Sequence, residues 1–213
     1  MMRVFVFCEG QSEESFVKNV LYPHFQSKAI YLTPIVLSTK VHFRGGVSTY
    51  GKIHQQIERK CKEDNSAWVT TMIDYYGLPH DWPDLPAGKK QITEVEKAFE
   101  DRIGMRNFLA NLILHEFEGL LFSNPEAFSS WFKVSEVDEL KSVRSSFSTP
   151  EDINDNRETA PSKRLKSICK NYDKTFHGFQ LAQEIGLEKI RRECPHFDGW
   201  IKRLEALSGE RKS

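Results

Sequence analysis

Short apolar runs alternate with amphipathic stretches over the first half of the chain. Val4-Phe5-Val6-Phe7-Cys8 is uninterrupted and aromatic-rich, which predicts a buried strand over residues 3–8. Phe16, Val17, Val20, Leu21 and Phe25 then recur at helical spacing. Ser12 is a suitable N-cap and Glu13 and Glu14 suit a first turn, so a helix is expected to about residue 27. Residues 29–37 read as a second strand, broken or at an edge because Pro34 cannot donate to a ladder. Ile53, Ile57 and Cys61 share one face of a helix over 50–62. A strand at 67–73, a helix at 89–102 and a strand at 107–114 follow. The stretch 75–88 is an ordered surface loop, since Tyr75, Tyr76 and Trp82 give it packing of its own. Strands alternating with helices predict right-handed crossovers and an α/β fold, a parallel sheet of about four strands flanked by helices.

After residue 115 the pattern changes. Residues 116–122 and 125–132 look helical, and 133–158 are polar, charged and expected to be partly mobile. Beyond Pro161, the groups Leu165-Ile168-Cys169, Phe179-Leu181-Ala182-Ile185 and Trp200-Ile201-Leu204-Leu207 predict short helices. The expected organisation is an α/β core over 1–123 and a C-terminal helical extension over 124–213, packed on that core.

Composition narrows the function classes. The chain has 213 residues, with Lys+Arg and Asp+Glu both 30, so it is not a basic nucleic-acid binder as a whole. A local basic groove stays open. The longest apolar runs are too short to span a bilayer, and Met1-Met2-Arg3 leads into a strand without a signal-type apolar region. Cys8, Cys61, Cys169 and Cys194 form no CxxC pair, so neither a zinc site nor a disulfide framework is indicated. Reduced thiols in a cytoplasmic protein are the expectation. No GxSxG or Walker-type glycine loop is present.

Acidic residues close three of the apolar runs. Glu9 follows the first strand, Asp74 the third, and His115-Glu116 the fourth. Neighbouring parallel strands would bring these carboxylates to one sheet edge, where open α/β proteins place their sites. Such a cluster needs a counter-charge, and a hard divalent cation supplies one. Gly10 permits a tight turn after Glu9, and Glu13 would face back from the first helical turn. Glu13 and Glu14 also read as surface acids that complement the helix dipole. Asp74 alone reads equally as a turn former. His115 either orients a carboxylate or water, or is a satisfied buried histidine. Of Glu116 and Glu118 only one is expected to reach the site, and Glu116 is preferred. Arg44, beside Gly45-Gly46, and Lys163, Arg164 and Lys174 are candidates for holding phosphate, or are solvated surface charges.

The segment Glu9-Gly10 after a first strand, with an aspartate after the third, resembles the Toprim fold of primases, topoisomerases and OLD-family nucleases. The spacing of Glu9 and Glu13 resembles the OLD-type pattern, in which an acid after the fourth strand also has a place. Tyr76 stands where a Toprim site has its second aspartate. Four separated blocks resemble an uncharacterised bacterial Toprim-like family often encoded beside an ABC-type ATPase. They are Phe7–Glu14, Met72–Pro79, His115–Phe122 and Ala160–Arg164. The resemblance implies a Mg2+- or Mn2+-dependent nuclease acting on DNA or RNA, in defence against mobile elements. In it Glu9, Glu13, Asp74 and Glu116 would ligate metal, with His115 beside them. The other implied reading is a non-catalytic module that docks on an ATPase.

Overall fold

The computed structural model describes residues 1–38, 49–83, 92–154 and 159–208. Strands β1 (Met2–Cys8), β2 (Ile30–Val36), β3 (Trp68–Asp74), β4 (Phe108–Leu109) and β5 (Leu112–Ile113) form one parallel sheet. The order is β2-β1-β3-β4, and β5 also pairs with β3. The α/β architecture read from the sequence is therefore the architecture of the chain. Pro34 lies on β2, an edge strand, where its missing N–H costs no ladder bond.

The N-terminal helix runs as α1 (Gln11–Phe16), a π-helical turn Val17–Leu21, and α2 (Tyr22–Gln26). Its cap is Gly10 rather than Ser12: Gly10 N donates to Glu13 Oε2 at 2.9 Å. Helices α3 (Tyr50–Glu63) and α4 (Ile92–Ile103) follow, and then a mainly helical C-terminal stretch. It contains α5 (Glu118–Leu121), a 3-10 segment Pro125–Ser130, α6 (Val134–Ser145), α7 (Pro161–Ile168), α8 (Lys174–Ile185), α9 (Leu187–Glu193) and α10 (Pro195–Ala206). Within the stretch 133–158, expected to be partly mobile, residues 134–145 form a helix that buries Val137 and Leu140, and 155–158 lie outside the described residues.

Strand alternation divides the core in two. Met2, Val4, Val6 and Cys8 point to the face covered by α1, α2 and the C-terminal helices, including Phe197, Trp200 and Leu204 of α10. Phe7, Val69 and Ile73 point to the face covered by α3 and α4. The extension thus completes the layer that buries one side of the sheet. Both faces are covered, as parallel sheets require.

The expected fourth strand is split at Ala110-Asn111. Thr71 Oγ1 donates to Asn111 O at 2.7 Å and accepts from Asn111 N at 3.0 Å, replacing two ladder bonds. On the outer side of this edge, side chains stand in for a next strand. Glu100 Oε1 accepts from Ala110 N at 2.8 Å, and Glu96 Oε1 accepts from Leu112 N at 2.7 Å. Arg203 donates to Ala110 O at 3.4 Å, and His196 Nε2 lies 3.1 Å from Leu112 O. The acids from α4 pair with the bases from α10, Glu100 with Arg203 at 2.6 Å and Glu96 with His196 at 3.0 Å. Contact with two oxygens requires a proton on His196 Nε2. The exposed polar row that makes edge strands prone to mispairing is closed by four side chains.

Among the described residues no helix is long and apolar enough to cross a membrane. All four cysteines are free and buried. Burial pushes the Cys61 and Cys169 thiols up to about 12, which leaves them poor nucleophiles.

Candidate functional site

The C-terminal ends of β1 and β3 lie side by side, with Cys8 level with Met72. This brings Glu9 next to Asp74: Asp74 N donates to Glu9 Oε2 at 3.3 Å. Gly77, in the 3-10 turn Tyr75–Gly77, makes room for the Glu9 carboxyl, since a Cβ there would fall 2.9 Å from Glu9 Cδ. Glu13, one turn into α1, is 2 % exposed and folds back to the strand end.

The chain reaches the same place again after β5. His115 takes a left-handed conformation, φ 66°, a strained state for a side-chain-bearing residue. Its carbonyl accepts from Tyr76 N at 3.1 Å and its buried ring packs 5.1 Å from the Tyr76 ring. The turn aims Phe117 N at Asp74 Oδ1, 2.8 Å away, and lays α5 against the strand ends. Glu118, at the start of α5, is 1 % exposed.

Lys174 joins these groups from the start of α8. Its ammonium lies 3.1 Å from Glu13 Oε1, 3.3 Å from Glu118 Oε2 and 3.6 Å from Asp74 Oδ2. Ser12 Oγ donates to Lys174 O at 3.3 Å, so the residue expected to cap α1 instead ties α1 to α8.

Three carboxylates therefore share one ammonium, and Glu9 lies beside them, held by Asp74 N. Burial raises the Asp74 carboxyl well above its usual range; Lys174 opposes this, and Glu13, Glu9 and Glu118 add to it. Glu118 is raised by burial against the pull of Lys174, with Glu116 and Glu13 adding. Glu9 is raised by burial and by Glu13. Glu13 Oε1 and both Glu118 oxygens accept no well-aligned hydrogen bond, and the lysine meets Glu13 Oε1 and Glu118 Oε2 at ion-pair distance. Buried carboxylate oxygens left in this state favour an added cation.

Hard oxygen donors in this number fit Mg2+ or Mn2+ chemically. The arrangement as it stands is not ready-made. Among the described residues no three His, Cys, Asp or Glu side chains stand in a metal-holding geometry. Lys174 takes the central place.

The sequence-based candidates are thus partly gathered. Glu9, Glu13 and Asp74 come together. Glu116 does not take the place preferred for it: its Oε2 accepts from Ser162 N at 2.8 Å, at the N-terminus of α7. It lies close enough to raise Glu9 and Glu118, but Glu118 is the residue that meets Lys174 and Asp74. The signal for Glu118 was a charge flanked by Phe117 and Gly119-Leu120-Leu121-Phe122, which demands a buried partner. Of the phosphate candidates, Lys174 is turned inward to the acids. Lys163 is exposed on α7, and Arg164 donates to Thr159 O at 2.8 Å and lies over the Phe147 ring. Arg44 lies outside the described residues.

A search of curated proteins finds no match. Among solved structures, the chain is similar to one described as the "C-terminal region of the Xanthomonas campestris pv. campestris OLD protein". The identity is 13%, with 100% of this chain and 99% of that chain covered and a TM-score of 0.44. Residues 8–205 match the model of the family described as a domain of unknown function, DUF4276, and the chain belongs to that family.

Proposed function

We propose that this chain is a divalent-metal-dependent phosphodiester hydrolase, a nuclease-like module with its centre at Glu9, Glu13, Asp74 and Glu118. The observation that carries this reading is the gathering of three buried carboxylates, Glu13, Asp74 and Glu118, around a single lysine beside Glu9, with oxygens of Glu13 and Glu118 lacking aligned hydrogen bonds. Bound Mg2+ or Mn2+ would supply an activated water and offset charge on phosphate oxygens. Asp74 is oriented for ligation by the Phe117 N–H, and Glu13 by the Gly10 N–H. Glu9, its carboxyl raised by burial and by Glu13, is the group best suited to take up and return a proton. Glu116, held by the Ser162 N–H, positions α7 and its basic residues beside the centre.

Exposed Trp131 and Phe176 flank the Lys174 end of α8 and meet edge to face at 5.7 Å, offering rings to unpaired bases. The nucleic-acid substrate, DNA or RNA, and an ABC-type ATPase partner rest on the resemblance of the four sequence blocks. The test is cleavage of single- and double-stranded DNA and RNA with Mg2+ or Mn2+. Asp74→Asn and Glu118→Gln should each lower the rate by at least about 100-fold, since loss even of outer partners of a metal costs 10–100-fold. Metal-dependent cleavage unchanged in both variants would sink the assignment.

A further inference from the structure

Lys174 stands where the added cation would be needed. Its three contacts, at 3.1, 3.3 and 3.6 Å, are all longer than a charge-assisted hydrogen bond of about 2.7–2.9 Å. The ammonium sits between three acids instead of pairing with one. Its backbone is fixed, because Ser12 Oγ holds Lys174 O and Asp173 caps α8 through Phe176 N at 2.8 Å. The side chain is less confined. It is 34% exposed, against 2% for Glu13 and 1% for Glu118. The contacts that fix α8 here are made by the backbone and by Asp173, so movement of the ammonium would not break them.

Resting on the metal reading above, we infer that Lys174 is a removable counter-ion. It neutralises the acids while no divalent ion is bound, and its ammonium is released to the solvent side when such an ion takes its place. The two cations compete for the same oxygens: Glu13 Oε1, Glu118 Oε2 and Asp74 Oδ2. A divalent ion holds oxygens at about 2.0–2.6 Å, so the acids would have to close in on a space the ammonium now keeps open. Charge repulsion between the two cations drives the lysine out. The device keeps the fold intact without metal, at the cost of a weaker apparent metal affinity.

The experiment uses the wild-type chain. Lysines are methylated with formaldehyde and borane, and the extent at Lys174 is read by mass spectrometry with and without Mn2+. Calorimetry on the same sample reports whether Mn2+ binds. Saturating Mn2+ should speed labelling of Lys174 by at least about tenfold, as expected when a closed state becomes the minor one. Lys62 and Lys202, exposed and paired within their own helices to Glu58 and Asp198, serve as controls that should not change. Mn2+ binding with labelling of Lys174 unchanged or slowed would overturn the exchange and leave the metal reading standing. No Mn2+ binding would remove the metal reading, and the exchange with it.

Discussion

The β4–β5 edge and the strand-end centre both bury acids beside basic side chains, and they treat those acids differently. At the edge, each acid has its own base and a backbone N–H: Glu96 has His196 and Leu112 N, Glu100 has Arg203 and Ala110 N. At the centre, three acids share Lys174, and oxygens of Glu13 and Glu118 go without an aligned hydrogen bond. One-to-one pairing with satisfied lone pairs is what a structural ion pair needs to offset desolvation. A surplus of buried negative charge is instead unfavourable until something binds. The edge acids are each paired, whereas the centre leaves carboxylate oxygens without an aligned hydrogen bond.

The largest expected effect tests the edge. Glu96→Ala removes the acceptor of Leu112 N and leaves His196 facing an apolar gap. It should cost about 3 kcal/mol in denaturant unfolding, the range for breaking a buried pair on one side. Arg203→Ala, at a pair with exposures of 46% and 27%, should cost about 1 kcal/mol because solvent screens it. Equal, negligible losses in both would make the edge bonds incidental.

Lys174→Met tests the centre. Without metal at pH 8 it should cost about 2 kcal/mol, discounted for the lysine's one-third exposure. Mn2+ should restore most of that loss, since a divalent ion replaces the missing charge. Mn2+ should not rescue Glu96→Ala. Rescue of both, or of neither, would erase the distinction between the two regions.

A pH series separates them again. Glu9, Asp74 and Glu118 have folded-state values above those of free carboxyls, so the folded state holds extra protons. Their effect is absent below the usual carboxylate range and grows as a loss of stability while pH rises through the raised values. His196 is also raised: burial lowers it, and Glu96 more than compensates. Its contribution is complete below 6.5, the ordinary value, and disappears as pH rises through the raised one. Both regions therefore weaken with rising pH, but only the centre's share should fall with Mn2+ and, by the part that Glu118 contributes, in Glu118→Gln. That variant without metal should melt at or above wild type at pH 8. A lower melting point would mean that Glu118 is a satisfied structural acid after all.

How legible the two regions were from sequence follows from the range of their contacts. Glu9 and Asp74 each close an apolar run, so the parallel sheet was enough to bring them together. Gly10 and Glu13 are a local cap, within four residues of Glu9. Glu118 was passed over because Glu116 directly closes the fourth apolar run, whereas Glu118 reaches the centre only through the left-handed turn at His115. Lys174 could be read only as a loose basic residue, its nearest partner in sequence, Glu118, lying more than fifty positions away. The edge was invisible for the same reason: α4 and α10 meet across about a hundred residues. Helix α6 escaped because its mostly charged surface leaves just Val137 and Leu140 buried.

The smallest expected effect on stability is the sharpest test of geometry. Gly77 has no role in the core, yet a Cβ there would fall 2.9 Å from Glu9 Cδ and closer still to Oε2. The clash is with the end of a flexible side chain, so Glu9 can turn away. Gly77→Ala should therefore change unfolding free energy by no more than about 0.5 kcal/mol, as for a surface substitution. Moving that carboxyl breaks its bond from Asp74 N and takes one acid out of the centre. Metal-dependent cleavage and Mn2+ affinity should fall together while the melting point stays. A variant that keeps both would mean that the centre works without Glu9, and that the carboxylates at Asp74, Glu13 and Glu118 are sufficient.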